Sequence, residues 1–182
     1  RRAALGLTSG MQFDISSRIL LGAGVPNGGT QVEWEEGGGT FNHPRQAYVA
    51  VGADLLRRIN PAAGLWISDP SWENHRALFE YAGYTVTAYP YYHAPSHGVD
   101  FDRMIGALET LPAGSVTVLH ACCHNPTGVD LSAEQWERVI RAVNARGLVP
   151  FLDLAYQGFA DGIDAHAYAV RRFTEACPVV FV

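Results

Sequence analysis

The residue of this sequence with the most informative chemistry is an acidic one that ends an apolar segment. Asp153 directly follows the run Leu148–Leu152. A carboxylate in that position is partly desolvated, so it takes up a proton unless a cation or several donors hold it ionised. A ligand with a protonated pyridine nitrogen would be a suitable cation, and His75 or His124 could supply a supporting hydrogen bond. The pattern is equally consistent with an aspartate that only caps the turn after a strand.

Three other residues have both a binding and a structural interpretation. Asn125 opens the segment Asn-Pro-Thr-Gly, which is by default a turn because Pro fixes φ and Gly permits positive φ; its amide could also donate to a ligand oxygen. Trp72 lies just after the turn at Pro70 and is either core material or a plate on which a flat ring stacks. Tyr156, three residues after Asp153, could offer its hydroxyl to the same ligand or simply pack.

Two further segments suggest a phosphate or a metal. Gly39 and Thr40 end a glycine cluster whose backbone N–H groups could cradle a phosphate, although a flexible loop explains the cluster equally well. The run from His120 to His124 contains the adjacent residues Cys122 and Cys123. Structural zinc sites space paired cysteines by two to four residues, and successive residues of a strand point in opposite directions, so we predict no metal here.

The elements that must position these residues alternate between strand and helix. Strands are predicted at Leu65–Ser68, Thr85–Tyr91, Ser115–His120, Leu148–Leu152 and Val179–Val182. Helices are predicted at Ala47–Ile59, Trp72–Ala82, Asp100–Leu111, from the Ser132 cap to about Ala145, and Asp164–Ala176. This order predicts an α/β fold of three layers, with a mostly parallel sheet covered by helices on both faces. Ligands of such sheets bind at the carboxyl ends of the strands, where the polar segments fall.

Composition narrows the class of protein. The 182 residues suit one domain, and 48% of them are hydrophobic, which is enough for a core. The net charge of −5 and the lack of a long basic run argue against nucleic-acid binding, and no apolar run is long enough to span a bilayer.

Three cysteines, two of them adjacent, do not form a disulfide framework, which favours a reducing compartment and hence the cytoplasm. All thirteen basic residues are Arg, so this polypeptide alone cannot perform chemistry that needs a lysine amine.

The polar segments together resemble a known family. Residues 68–75, 120–128 and 151–159 are similar to signature segments of class I, fold-type I aminotransferases that depend on pyridoxal phosphate, in the same order and at about the same spacing. Within that class the resemblance is to the aspartate and aromatic amino acid aminotransferases. It runs from about Val51 to Val182, and residues 47–182 are interpreted as part of the cofactor-binding large domain. Residues 1–46 match poorly, and only a short helix or strand near Ile15–Leu21 is predicted there.

The resemblance implies a role for each matching residue. Asp153 would pair with the pyridinium nitrogen of pyridoxal phosphate, Tyr156 and Asn125 would hydrogen-bond its phenolic oxygen, and Trp72 would stack on its ring. Gly39 and Thr40 would correspond to a phosphate-binding Gly-Thr pair. Three histidines would contact these binding residues rather than the cofactor itself; they are His75, His120 and His124. His75 would orient Asp153.

The resemblance also implies amino acid and 2-oxo acid substrates, such as 2-oxoglutarate, and a homodimer. The family's catalytic lysine has no counterpart in the chain, so no catalytic residue is assigned, and Pro44 is expected to interrupt the helix that follows the Gly-Thr pair. We therefore expect a truncated aminotransferase that is inactive by itself. A related lyase or decarboxylase fits the motifs less well. The remaining alternative is a non-catalytic α/β binding module, or an inactive truncated paralogue. Aromatic and dicarboxylic substrates cannot be distinguished from these residues.

Overall fold

The computed structural model describes residues 3–5, 32–33, 40–41 and 44–182, with side chains from residue 49 onward. The α-helices are α1 (Pro44–Ile59), α2 (Glu73–Tyr81), α3 (Phe101–Leu108), α4 (Ala133–Arg146), α5 (Ile163–His166) and α6 (Tyr168–Ala176), and Ala94–Ser96 form a 3₁₀ turn. The strands are β1 (Ala3–Leu5), β2 (Val32–Glu33), β3 (Thr40–Phe41), β4 (Leu65–Asp69), β5 (Val86–Pro90), β6 (Tyr92–His93), β7 (Gly98–Val99), β8 (Val116–His120), β9 (Val149–Asp153) and β10 (Val179–Phe181). Among the described residues, no helix combines the length and the apolar character needed to cross a membrane.

Six strands form one parallel sheet in the order β1-β10-β9-β8-β4-β5. The connection after β4 leads through α2 to β5, on one side of β4. The connection after β8 leads through α4 to β9, on the other side. The chain therefore reverses its direction across the sheet between β4 and β8, and such a switch point opens a crevice at the carboxyl ends of the two strands.

Two apolar cores, one on each face of the sheet, explain why the helices form layers. Successive residues of β9 point to opposite faces, so Phe151 packs in one core and Leu152 in the other. The first core receives Ala53 and Leu56 of α1 and Phe79 of α2. The second receives residues of α3, α4 and α6, among them the fully buried Met104, Val139 and Phe173. The predicted three-layer fold with helices on both faces is confirmed.

The start of α4 and the end of α2 lie where the neighbouring residues predicted them. The Ser132 side chain accepts the N–H of Gln135 (3.2 Å), and the Gln135 side chain accepts the N–H of Ser132 (2.8 Å). This reciprocal capping box satisfies two backbone donors that the first turn of α4 would otherwise leave unpaired. Gly83 follows α2 with a φ of +88°, a conformation that suits glycine after a helix end.

Two predictions about helices were wrong. Pro44 does not interrupt a helix but begins α1, because the first helical residue has no intrahelical partner for its N–H and a proline there loses nothing. The predicted helix Asp164–Ala176 is two helices, α5 and α6, which meet at Ala167. Near the N-terminus, β2 pairs antiparallel with β3, and β1 pairs parallel with β10. The expectation for Ile15–Leu21 lies outside the described residues.

Candidate ligand-binding site at the carboxyl edge of the sheet

The crevice at the switch point is surrounded by the connections that follow β4, β8 and β9. The last residues of β8 and β9, His120 and Asp153, are register partners in the parallel pair. On the other side, β4 also pairs with β8 and ends at Asp69. The parallel arrangement therefore brings the three polar segments predicted from sequence to one edge of the sheet.

Asp153 is held by a histidine from the opposite side of the crevice. Its Oδ2 atom lies 2.9 Å from Nε2 of His75, and its Oδ1 atom accepts the N–H of Ala155 (3.2 Å). His75 is fully buried and Asp153 is 7% exposed. An ionised carboxylate can only accept hydrogen bonds, so Nε2 of His75 carries the proton.

The next group in this chain of contacts is a hydroxyl. Nδ1 of His75 lies 2.9 Å from Oγ of Ser71. The Ser71 hydroxyl thus holds one side of the ring whose Nε2 atom faces Asp153. The sequence left His75 and His124 as alternative partners of Asp153; the structure gives this bond to His75, on α2.

His124 occupies a separate, buried position. Its ring stacks on Tyr91, with centroids 3.9 Å apart and an interplanar angle of 10°. Its Nε2 atom lies 2.9 Å from Oγ of Ser68, and its Nδ1 atom lies 2.9 Å from Oγ1 of Thr127. Burial lowers the pKa of His124 from the ordinary value of 6.5 to about 4, because a charged ring would lose its hydration. His124 is therefore neutral at pH 7.

His120 links the two histidine positions. Its ring centroid is 5.0 Å from that of His75 and 4.3 Å from that of His124. All three rings are buried. The three histidines predicted to support the site therefore lie side by side beneath it, and His75 is the one that holds the carboxylate of Asp153 by a hydrogen bond.

The other predicted binding residues lie around the same crevice. Trp72 precedes α2, and its ring is nearly perpendicular to that of His75, with centroids 5.2 Å apart. Asn125 follows His124 and is half-buried, in a turn whose Asn125–Pro126 peptide bond is cis. Tyr156 is half-buried in the turn after β9 and contacts Phe159 edge to face.

The predicted phosphate-binding pair is only partly described. Gly39 lies outside the described residues. The backbone of Thr40 pairs with that of Glu33 between β3 and β2. These observations do not test the assignment of either residue to a phosphate.

Asp130 contributes to the site but was missed from the sequence. Its carboxylate accepts the N–H groups of Cys123 (2.6 Å) and His124 (2.8 Å), while the N–H of Gly128 bonds to the carbonyl of His124. These bonds hold the turn that presents Asn125. The signal in the sequence was the position of an aspartate just after an Asn-Pro-Thr-Gly turn, since such side chains often bond to nearby backbone N–H groups.

The two adjacent cysteines do not lie on a strand, so the argument that their side chains diverge does not apply. β8 ends at His120, and Cys122 and Cys123 follow in a bend in which Cys123 has a φ of +46°. Both thiols are free, and one ligand atom of each lies within 4.8 Å of the other and of His166. Burial, with a smaller contribution from Cys123, raises the pKa of Cys122 to about 12. A second group within the same limit combines His75, His120 and Asp153.

This arrangement defines the class of protein: an α/β domain with buried polar side chains at the switch point of its parallel sheet. The buried carboxylate of Asp153, oriented by His75, could accept a hydrogen bond from a ligand with a protonated ring nitrogen, and Trp72 packs against the same histidine. The chain belongs to the family "Aminotransferase class I and II", whose model matches residues 47–182. The resemblance found in the sequence is thereby confirmed.

Individual relatives are similar over the same part of the chain. An aromatic-amino-acid aminotransferase of Escherichia coli is 52% identical over 126 residues, which are 69% of this chain and 32% of that protein. An aspartate aminotransferase of Pseudomonas aeruginosa is 55% identical over 132 residues, 72% of this chain and 33% of that protein. The crystal structure of an aromatic-amino-acid aminotransferase from Burkholderia pseudomallei, covalently bound to pyridoxal phosphate, matches with a TM-score of 0.74 and 57% identity over 75% of this chain and 34% of that one. The chain thus spans about a third of the length of these relatives.

Proposed function

We propose that residues 47–182 are part of a domain that binds pyridoxal phosphate, and that the complete enzyme transfers an amino group from an aromatic amino acid or aspartate to a 2-oxo acid such as 2-oxoglutarate. The observation that carries this proposal is the position of Asp153. Its carboxylate is buried at the crevice, is held by His75 at 2.9 Å, and lies on the edge of the sheet that also carries Trp72 and Asn125. The similarity to proteins named as aromatic and aspartate aminotransferases supports the choice of substrates.

In this proposal Asp153 accepts a hydrogen bond from the protonated ring nitrogen of the cofactor and keeps that nitrogen protonated. Bound pyridoxal phosphate then supplies a positively charged ring that withdraws electrons from the α carbon of an amino acid. His75 is a positioning residue, since its Nε2 atom is hydrogen-bonded to the carboxylate and its Nδ1 atom is hydrogen-bonded to Ser71.

The remaining residues would fix the ring in place. Trp72 would cover one face of the ring, and Asn125 and Tyr156 would donate hydrogen bonds to its phenolic oxygen. The turn that carries Asn125 is held by the two bonds to Asp130, which supports a defined position for the amide. Gly39 and Thr40 are proposed to bind the phosphate on the basis of the sequence alone.

The complete reaction needs a lysine amine, which this chain does not contain. All thirteen basic residues are Arg, so no lysine side chain is available to hold the cofactor or to move a proton from the α carbon. We therefore propose that the 182-residue chain by itself is inactive. The same observation favours the second candidate function, a non-catalytic binding module or an inactive truncated paralogue.

Partners and location follow from the same reasoning. We propose that the complete enzyme is a homodimer, as expected from the resemblance. The free cysteines support a reducing compartment, for which the cytoplasm is our proposal. The net charge of −5 gives no support for a nucleic-acid partner.

The cofactor proposal is tested by titrating the chain with pyridoxal phosphate and following tryptophan fluorescence and the visible absorbance of the bound ligand. Asp153→Asn removes the negative charge with little change in shape. A hydrogen bond to a charged group contributes about 1.5–3 kcal/mol, so we expect binding to weaken roughly 10–100-fold. Asp102→Asn, the same change at an exposed position of α3, should bind like the unmodified chain. Equal affinities for all three proteins would contradict the role of Asp153.

The proposed inactivity is tested separately. After borohydride reduction in the presence of pyridoxal phosphate, mass spectrometry should find no cofactor attached to a side chain. An assay with aspartate or tyrosine as donor and 2-oxoglutarate as acceptor should show no amino transfer. Transfer catalysed by this chain alone would overturn the requirement for a lysine, whereas binding without transfer fits either candidate function. The two candidates are then distinguished by assaying a protein in which this chain is continuous with a lysine-containing remainder.

A further inference from the structure

A cluster of potential metal-ligand atoms, from Cys122, Cys123 and His166, lies beside the candidate cofactor site. Cys122 and Cys123 belong to the bend after β8, and His166 is the last residue of α5. One ligand atom of each residue lies within 4.8 Å of the other two. Cys122 and His166 are buried and Cys123 is half-buried. The group therefore joins the connection after β8 to the connection after β9.

The backbone allows both thiols to face the histidine. β8 ends at His120, and the positive φ of Cys123 turns the chain between the two cysteines, so the alternation of a strand does not separate them. Cys123 is fixed at both ends: its N–H donates to Asp130 (2.6 Å), and its Sγ atom donates to the carbonyl of Tyr156 (3.6 Å). The cluster is thus built into the fold.

The contacts of His166 are not satisfied by an imidazole alone. Its Nδ1 atom faces the N–H of Gly158 (2.9 Å) and its Nε2 atom faces the N–H of Asp161 (3.0 Å). A neutral imidazole has one nitrogen that accepts and one that carries a proton. A neutral His166 can therefore satisfy only one of the two backbone N–H groups, and binding a cation at either ring nitrogen requires that nitrogen to exchange its backbone N–H for the cation.

The thiols lie near negatively charged carboxylates. Burial raises the pKa of Cys123, and the negative charges of Asp130 and Asp161 raise it further. The same charges favour a cation near the sulfur atoms. Among the described cysteines all three are free, so Cys122 and Cys123 are not held in a disulfide.

We propose that Cys122, Cys123 and His166 bind a thiophilic divalent cation, Zn²⁺ in the first place. Two thiolates and one imidazole form a donor set that zinc accepts, with the fourth position left to water or another ligand. Binding requires each thiol to lose its proton and His166 to give up one backbone contact. The site is independent of pyridoxal phosphate and of the function proposed above.

The test uses Co²⁺ as a spectroscopic probe under reducing conditions, followed by displacement with Zn²⁺. The unmodified chain should bind one Co²⁺, with a thiolate-to-cobalt charge-transfer band in the near ultraviolet, and Zn²⁺ should remove that band. Changes to groups that only orient metal ligands weaken binding about 10–100-fold, so loss of a direct ligand by Cys123→Ser or His166→Gln should weaken it at least that much. Cys177→Ser removes the third, distant thiol as a matched control and should leave the affinity unchanged.

Controls for folding and for surface binding make each outcome decisive. Circular dichroism identifies any variant that fails to fold, and His166→Cys, which restores a third ligand, should bind Co²⁺ where His166→Gln does not. The proposal is overturned if the chain shows no thiolate band, if His166→Gln binds like the unmodified chain, or if Cys177→Ser alone abolishes the band. It is also overturned if binding is lost on changing the exposed residues His93 and His97 instead.

Discussion

The neutral, buried His124 makes a quantitative prediction about stability and pH. The ring is stacked on Tyr91 and bonded at both nitrogens to the hydroxyls of Ser68 and Thr127. Burial lowers its pKa from 6.5 to about 4. Between these two pH values the unfolded chain binds a proton that the folded chain does not, so protonation favours unfolding.

The magnitude follows from the same two values. Each pKa unit corresponds to about 1.36 kcal/mol, so His124 contributes up to about 3 kcal/mol of stability. The contribution is fully present above about pH 6.5 and is lost as the pH falls towards 4. A loss of this size is a large part of the roughly 5–15 kcal/mol that typically separates folded from unfolded domains.

The assay is urea denaturation at a series of pH values, followed by tryptophan fluorescence, for the unmodified chain and His124→Gln. The glutamine removes the titrating group, so the advantage of the unmodified chain over the variant should shrink by up to about 3 kcal/mol between pH 7 and pH 4. Groups that titrate in both proteins, such as Asp54, cancel in the difference. His93→Gln is the matched control for the substitution itself, because it makes the same change at an exposed position. Parallel curves for the unmodified chain and His124→Gln would refute the reasoning.

Three further substitutions test packing and capping by the same denaturation assay at pH 7. Gly52→Ala should destabilise the chain by about 1–3 kcal/mol, because a Cβ atom there would lie 2.6 Å from the ring of Phe151; a neutral result would show that the ring moves freely. Gly106→Ala, the matched change at an exposed position of α3 with nothing within 4 Å, should stabilise it by about 0.5–1 kcal/mol, and destabilisation would contradict that open environment. Ser132→Ala should cost about 1 kcal/mol by removing the acceptor for the N–H of Gln135, and an unchanged midpoint would show that the capping box adds nothing in water.

Much of the fold was predictable because its signals are local. The central strand β9 was recognised from the apolar run Leu148–Leu152, since both faces of a central parallel strand are covered. The cap at Ser132 and the glycine after α2 were recognised because a helix end leaves backbone groups that only certain neighbouring residues satisfy. Pro44 was misjudged because the sequence alone did not show whether it lies inside α1 or at its first residue.

The sequence by itself determined which chemistry the crevice can contain: it places an aspartate, an asparagine and a tryptophan at strand ends and provides no lysine. Tertiary structure alone decided that His75 and not His124 binds Asp153, across 78 residues of chain. It also decided that Asp130 holds the turn that presents Asn125, and that ligand atoms of His166, Cys122 and Cys123 lie close together. The physical reason is that hydrophobic periodicity and capping act over a few residues, whereas a hydrogen bond needs two atoms within about 3 Å. That proximity depends on the path of every connecting segment and on the rotamer of each side chain.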